Sequence, residues 1–217
     1  MGGSCSQSLL TRSGEDESIT PIAALMLPSY FVEDVFLSDL DLSLIHQSWK
    51  HIICGSGVEY LRVKAFSNFD FTSCTDWFSD VLHTRLFDVH PASDDVFQSG
   101  CSSHQVAVVN TLSLILRQLS EEGSATEVLH AIADKHSLVG VKAVEYGIFG
   151  DVLFYSLRVV LRDEYTAATD AAWKRLYSSF LCVLIPRCSA NERRGQCPMY
   201  RRGGAISYAT TSEYSEG

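Results

Sequence analysis

Six stretches of this chain space their apolar residues three and four apart, and nowhere do apolar and polar residues alternate long enough to make a strand. That pattern constrains the fold more than any other feature. A period near 3.6 buries one face of a helix, whereas a half-buried sheet needs a period of two. The first stretch, 37–53, carries Leu37, Leu40, Leu44, Trp49 and Ile52 and is broken by Gly55-Ser56-Gly57. The second, 75–88, turns Phe78, Leu82, Leu86 and Phe87 inward before Pro91 and Asp94-Asp95 mark a turn. A third starts at Ser102 or Ser103, either of which can cap it, and places His104, Val108, Thr111 and Ile115 on one stripe. After the break Glu121-Glu122-Gly123-Ser124 come a short helix over 126–136 and a long one over 139–162. The long one spaces Val141, Val144, Ile148, Val152, Tyr155 and Val159 helically. The last begins at Thr166 or Thr169, carries Trp173, Tyr177, Phe180 and Leu184, and is expected to close at Pro186. No repeat of 20–50 residues is present, so the pattern predicts an all-α domain.

The 217 residues, 46% of them hydrophobic and 20% charged, suffice for one packed core with extensions. Residues 1–36 read as a flexible N-terminal extension with apolar patches near its end, 37–186 as the domain, and 187–217 as an Arg-rich flexible tail. That tail carries Arg187, Arg193, Arg194, Arg201 and Arg202, which as a weak basic patch would help hold an anionic membrane. Acidic residues outnumber basic ones by 26 to 17, giving a net charge of −9 and arguing against a broad nucleic-acid footprint. No apolar run is long enough for a membrane span.

The amino terminus reads Met1-Gly2-Gly3-Ser4-Cys5-Ser6, with Gly2 and Ser6 placed as in a myristoylation signal and Cys5 where a palmitoyl group often follows. Two acyl chains together hold a protein at a membrane where one alone binds marginally. The expectation is a cytoplasmic protein, peripheral at the plasma membrane through its inner leaflet. The seven cysteines are scattered without a CxxC pair, so free thiols in a reducing compartment are expected, without excluding one redox-active pair.

Phosphate-binding, nucleophile-elbow and HExxH patterns are absent, and no carboxylate pair stands out for acid–base work, leaving the seven histidines as candidates for chemistry. Two differ from the rest in context. His136 ends a short helix with Ile132 one turn before it and Leu129 near two turns before, an apolar wall beside one imidazole. His104 lies near the start of another helix with Val108 one turn on, where the positive end of the dipole disfavours protonation. Two neutral imidazoles across an apolar slot are what a haem iron with two axial ligands needs.

The residues around His136 carry a resemblance. Ala133-Asp134-Lys135-His136-Ser137-Leu138-Val139-Gly140-Val141, followed by Tyr146, Gly150 and Leu157, is similar to the proximal segment of a globin. Thr166-Ala167-Ala168-Thr169-Asp170-Ala171-Ala172-Trp173, running on to Tyr177, resembles the start of the last globin helix. Leu44-Ile45-His46-Gln47-Ser48-Trp49 resembles the first helix, and Thr84-Arg85-Leu86-Phe87 leading to Phe97 the second and its exit. The likeness is to neuroglobin and to the acylated, membrane-attached globin X group.

It implies a globin fold of six to eight helices around a pocket for haem b. It also implies His136 as the proximal iron ligand, His104 as the distal one, and Phe97, Val108, Ile132, Val141 and Tyr146 against the haem. Oxygen, nitric oxide or nitrite would be the small ligands and an electron-donor reductase a partner, with nitrite reduction or nitric oxide dioxygenation as side activities. An oxygen store with five-coordinate iron and a haem-free interaction module are the alternatives. The sequence departs from the family in two places. Only seven positions separate Phe97 from His104, which puts Gln105 forward as another distal group, and 53–74 has the length of an insertion.

Overall fold

A computed structural model of the chain describes residues 26–66, 69–93 and 103–194, for 103–106 the backbone alone. Among them the helices are α1 (Asp39–Cys54), α2 (Val58–Lys64), α3 (Cys74–Val89), α4 (Ser103–Glu122), α5 (Thr126–Leu138), α6 (Ala143–Leu161) and α7 (Ala167–Arg193), with a 3-10 turn at Arg162–Glu164. No strand occurs among the described residues, and no helix there is long and apolar enough to cross a membrane.

Side-chain caps set three of the helix starts. Ser38 caps α1 in a reciprocal box: its Oγ accepts from the Asp41 N–H at 3.1 Å, and Asp41 accepts from the Ser38 N–H at 2.9 Å. Ser73 and Thr166 cap α3 and α7 in the simpler way. Ser103, offered above as a cap, is already helical. Gly55 ends α1 at φ 60°, a left-handed conformation that costs glycine nothing.

The core is one continuous cluster. Trp173 lies at its centre, fully buried, donating its indole N–H to Ser48 at 2.9 Å, while Trp49 reaches Ser113 at 3.0 Å. These two bonds tie α1 to α7 and to α4. The buried face of α1 runs through Ile45, Ser48, Trp49 and Ile52; Leu40, expected inside, is exposed.

α6 corrects the expected stripe more widely. Its buried side runs through Tyr146, Gly150, Leu153, Leu157 and Val160, while Val144 and Tyr155 face out in line with the exposed Asp151 and Arg158. Because α6 is apolar around most of its girth, hydrophobic spacing selects no single face. Asp151 and Arg158, seven residues apart, mark the exterior.

Pro186 does not end the last helix. α7 runs on to Arg193 with Cys188, Ser189 and Asn191 buried. Proline removes one intrahelical hydrogen bond, but the following two turns bond to α5 and stay helical. Residues 187–193 are therefore packed helix, where a flexible tail was expected from 187 onward.

Residues 26–37 do not hang free. Tyr30 donates to the Gly147 carbonyl at 2.9 Å, the Val32 N–H donates to Ser178 Oγ at 3.0 Å, and Leu37 is buried. A Cβ at position 150 would sit 1.9 Å from the Tyr30 hydroxyl, so this close approach requires Gly150.

The long faces pair as α5, α6 and α1 on α7, and as α6 and α4 on α3. Among the described residues the consecutive helices α4 and α5 scarcely meet: one rests on α3, the other on α7.

Candidate functional site

α5 is seated by its own spacing. Leu129, Ala133 and Ser137 recur every four residues and are buried. Asp134 then receives two parallel bonds of 2.8 Å from the Arg187 guanidinium and one of 2.9 Å from the Asn191 amide. The Arg187 hydrogen bonds, helped by Asn191, hold the Asp134 carboxyl well below the usual carboxylate range. Asn191 also donates to Ser137 Oγ at 3.2 Å. Beyond Leu138 the chain turns through Gly140 at φ 90°, and the His136 carbonyl accepts from both the Val139 and Val141 N–H groups at 3.1 Å. The Val141 carbonyl in turn accepts from the Cys188 thiol at 3.4 Å.

This frame places His136 at the open end of α5. Its Nδ1 lies 3.2 Å from the Tyr146 hydroxyl, and the two rings stack with centroids 5.7 Å apart and planes 25° apart. The residue is exposed to solvent, yet burial lowers its pKa from the ordinary histidine value. Solvent reaches part of the side chain, while the ring lies against the Tyr146 ring. The imidazole is therefore neutral at pH 7. Tyr146 is buried, its phenol pushed far up by burial, and its carbonyl accepts from the Tyr177 hydroxyl at 2.8 Å. The adjacent Glu145 lies 3.3 Å from His90, which joins the end of α3 to the start of α6.

The structure thus brings His136 and Tyr146 into direct contact. Ile132, one turn earlier on α5, and Val141, at the corner, are partly buried beside the core, as is Val108 on α4. His104 and Gln105 occupy the first turn of α4, where only the backbone is described. Phe97, Gly2 and Cys5 lie outside the described residues. Sequence reasoning missed Arg187, Cys188 and Asn191, the residues behind α5. Their four-residue spacing was a usable signal, but it falls after Pro186 where helix was not expected.

The donor chemistry tests what this site can hold. No group of three or more His, Cys, Asp or Glu side chains able to hold a metal ion occurs among the described residues. A bare zinc ion needs three or four protein donors and calcium needs more oxygen donors still. A single neutral imidazole among apolar side chains suits a metal whose equatorial positions are already filled by a macrocycle, so the residues fit a haem. Elsewhere, Val35, Leu119, Leu129, Phe180 and Val183 line a crevice at the opposite half of α5 that does not include His136.

The fold is an all-helical core with His136 near the end of α5. Residues 81–184 match the model of the Globin family, so this part of the chain is a globin domain. It is 28% identical over 112 residues to a neuroglobin of Tetraodon nigroviridis, covering 45% of this chain and 70% of that protein. It is also 28% identical over 129 residues to a flavohemoprotein of Rhizobium meliloti, covering 56% of this chain and 32% of that protein. A flavohemoprotein of Bordetella pertussis is 28% identical over 109 residues, 49% of this chain and 27% of that protein. The chain thus spans about a third or less of the length of the flavohemoproteins it matches. These matches support a haem-binding globin domain.

Proposed function

We propose that the chain holds haem b between His136 and His104 when no small ligand is bound, and that it binds oxygen or nitric oxide in redox, electron-transfer or sensing work at a membrane surface. The observation that carries this reading is the state of His136: an imidazole whose pKa burial lowers, with one ring nitrogen 3.2 Å from the Tyr146 hydroxyl. Haem supplies a one-electron couple and a site for a diatomic ligand. His136 and His104, the latter in the first turn of α4, would hold the iron, and Ile132, Val108, Val141 and Phe97 would keep water from the haem. A small ligand would compete with His104, which would suit rapid electron exchange better than bulk oxygen carriage. Nitrite is a further ligand on this reading, a reductase the electron source, and nitrite reduction or nitric oxide dioxygenation the turnover. Acyl chains on Gly2 and Cys5 would hold the protein at the inner leaflet of the plasma membrane, on the cytoplasmic side.

The deciding experiment is the visible spectrum of purified, haem-supplemented protein, ferric and then ferrous without oxygen. A low-spin ferrous spectrum with split bands, lost in His104→Ala, supports the two-histidine reading. A broad high-spin spectrum overturns it and favours oxygen storage with five-coordinate iron, a second reading supported by the place of His104 in a terminal turn of α4, where backbone bonds are incomplete. No haem band at all leaves a haem-free interaction module. The membrane half is tested separately, by labelling with a myristate analogue: a signal unchanged in Gly2→Ala ends it.

A further inference from the structure

We propose that residues 26–37 are a strap that completes the site on the His136 side. Seated, it holds the start of α6, and with it Tyr146, in place beside His136; lifted, it lets haem leave faster. The inference rests on the haem reading above and concerns a segment that the reading does not use.

The start of α6 is built to need outside support. Gly147 and Gly150, three positions apart and both buried, leave one side of its first turns without side chains. Glycine is also a poor helix former. The strap fills that side. Pro28 lies over Gly147, where a Cβ would meet its ring at 3.4 to 3.6 Å, and the Tyr30 phenol lies over Gly150. The Tyr30 ring meets Phe154 edge to face at 4.9 Å and Tyr177 at 6.3 Å.

Two phenols then pin two consecutive carbonyls. Tyr177 donates to the Tyr146 carbonyl at 2.8 Å, and Tyr30 donates to the Gly147 carbonyl at 2.9 Å. Successive carbonyls are turned about 100° around a helix axis, so the pair opposes both shift and rotation of the turn that carries Tyr146. Without Tyr30 one bond is lost and the Tyr177 ring faces a gap. The Tyr146 hydroxyl, 3.2 Å from His136 Nδ1, moves with that turn.

The strap also touches the second support of His136. Met26 Sδ lies 4.0 Å from Ser189 Oγ, next to Cys188, whose thiol donates to the Val141 carbonyl at the corner after α5. The other end is fixed separately, by the Val32 N–H on Ser178 and by buried Leu37. Residues 1–25 therefore join the strap at the end that touches these supports, and a load on them is felt there first. By linkage, a strap that tightens haem binding must itself be held down by haem.

The test uses the full haem-loaded chain and follows haem transfer to an excess of a haem-scavenging apoprotein. Limited proteolysis within 26–37 measures lifting. Tyr30→Ala empties the seat and is expected to speed haem loss about tenfold and to open 26–37 to cleavage. Removing haem from the parent chain should also raise cleavage there. Ser48→Ala is the control, since it breaks a core bond to Trp173 that involves neither the strap nor α6. It should lower thermal stability and leave haem loss at the parent rate. Unchanged haem loss in Tyr30→Ala overturns the proposal and leaves the haem reading intact, as does equal cleavage of the parent with and without haem. An equal acceleration in Ser48→Ala also overturns it, since any loss of stability would then release haem. Failure of the parent to load haem, or haem retained undiminished in His136→Ala, overturns the haem reading at His136 and this proposal with it.

Discussion

Arg187 lies one residue beyond a helical proline and grips Asp134, two residues before His136, through two parallel bonds of 2.8 Å. The continuation of α7 past Pro186 therefore does more than lengthen a helix. It delivers Arg187, Cys188 and Asn191 to the back of the segment that ends in His136.

Loosening this clamp should weaken both the fold and the site. Arg187→Ala removes a partly exposed pair and should cost about 1 kcal/mol. Asn191→Ala should cost more, about 1–3 kcal/mol, because Asn191 is buried and bridges Asp134 and Ser137. Urea denaturation measures both, and faster haem loss from Asn191→Ala would tie the clamp to the site. Equal stability of Asn191→Ala and the parent chain would refute this assignment.

Asp41 should contribute a definite part of the acid sensitivity. Burial pulls its carboxyl up, but hydrogen bonds from Ser38 and the Arg175 guanidinium outweigh that and leave it below the usual value. The folded state thus favours the ionised form. Its stabilisation is complete above the unfolded-chain pKa of about 3.9 and is lost as pH falls through the folded value. Asp41→Asn should be less stable than the parent at pH 7, and the gap should narrow below about pH 4. A gap independent of pH between 7 and 3 would rule this out.

Ser48→Ala strands the indole N–H of Trp173, which is fully buried. The expected loss is about 1–3 kcal/mol, more than a surface Ser→Ala change produces. Thermal melting compared with Ser43→Ala, at an exposed position of the same helix, decides the matter.

Gly150→Ala should expel the segment 26–37 from its seat. The added Cβ would meet the Tyr30 hydroxyl at 1.9 Å and a Tyr177 ring carbon at 2.7 Å. Overpacking of this kind costs about 1–3 kcal/mol. Limited proteolysis should show new cleavage within 26–37, and an unaltered digestion pattern would contradict the close packing seen here.

Much of this molecule was legible from local pattern. The helices begin near the polar residues that cap them, since a cap bonds only two or three positions away. His136 stood out because its neighbours along the chain form the motif. Leu40, Val144 and Tyr155 were misread because apolar spacing finds a helix more surely than it finds the side that faces in. On α6 the charges Asp151 and Arg158 were the better guide.

The sequence by itself determined the all-α class and the order of the long helices, and it singled out His136 and His104 as candidates, because each rests on interactions within a few residues along the chain. The partners of the helix that carries His136 were decided only by tertiary structure. Asp134 and Arg187 stand 53 positions apart, and a proline between helix and expected tail gave no local sign that the helix would resume its contacts. Likewise nothing local to Tyr146 shows that its ring stacks on His136. The turn through Gly140 and the seating of α5 on α7 bring the two rings together, and that closure is a property of the assembled core.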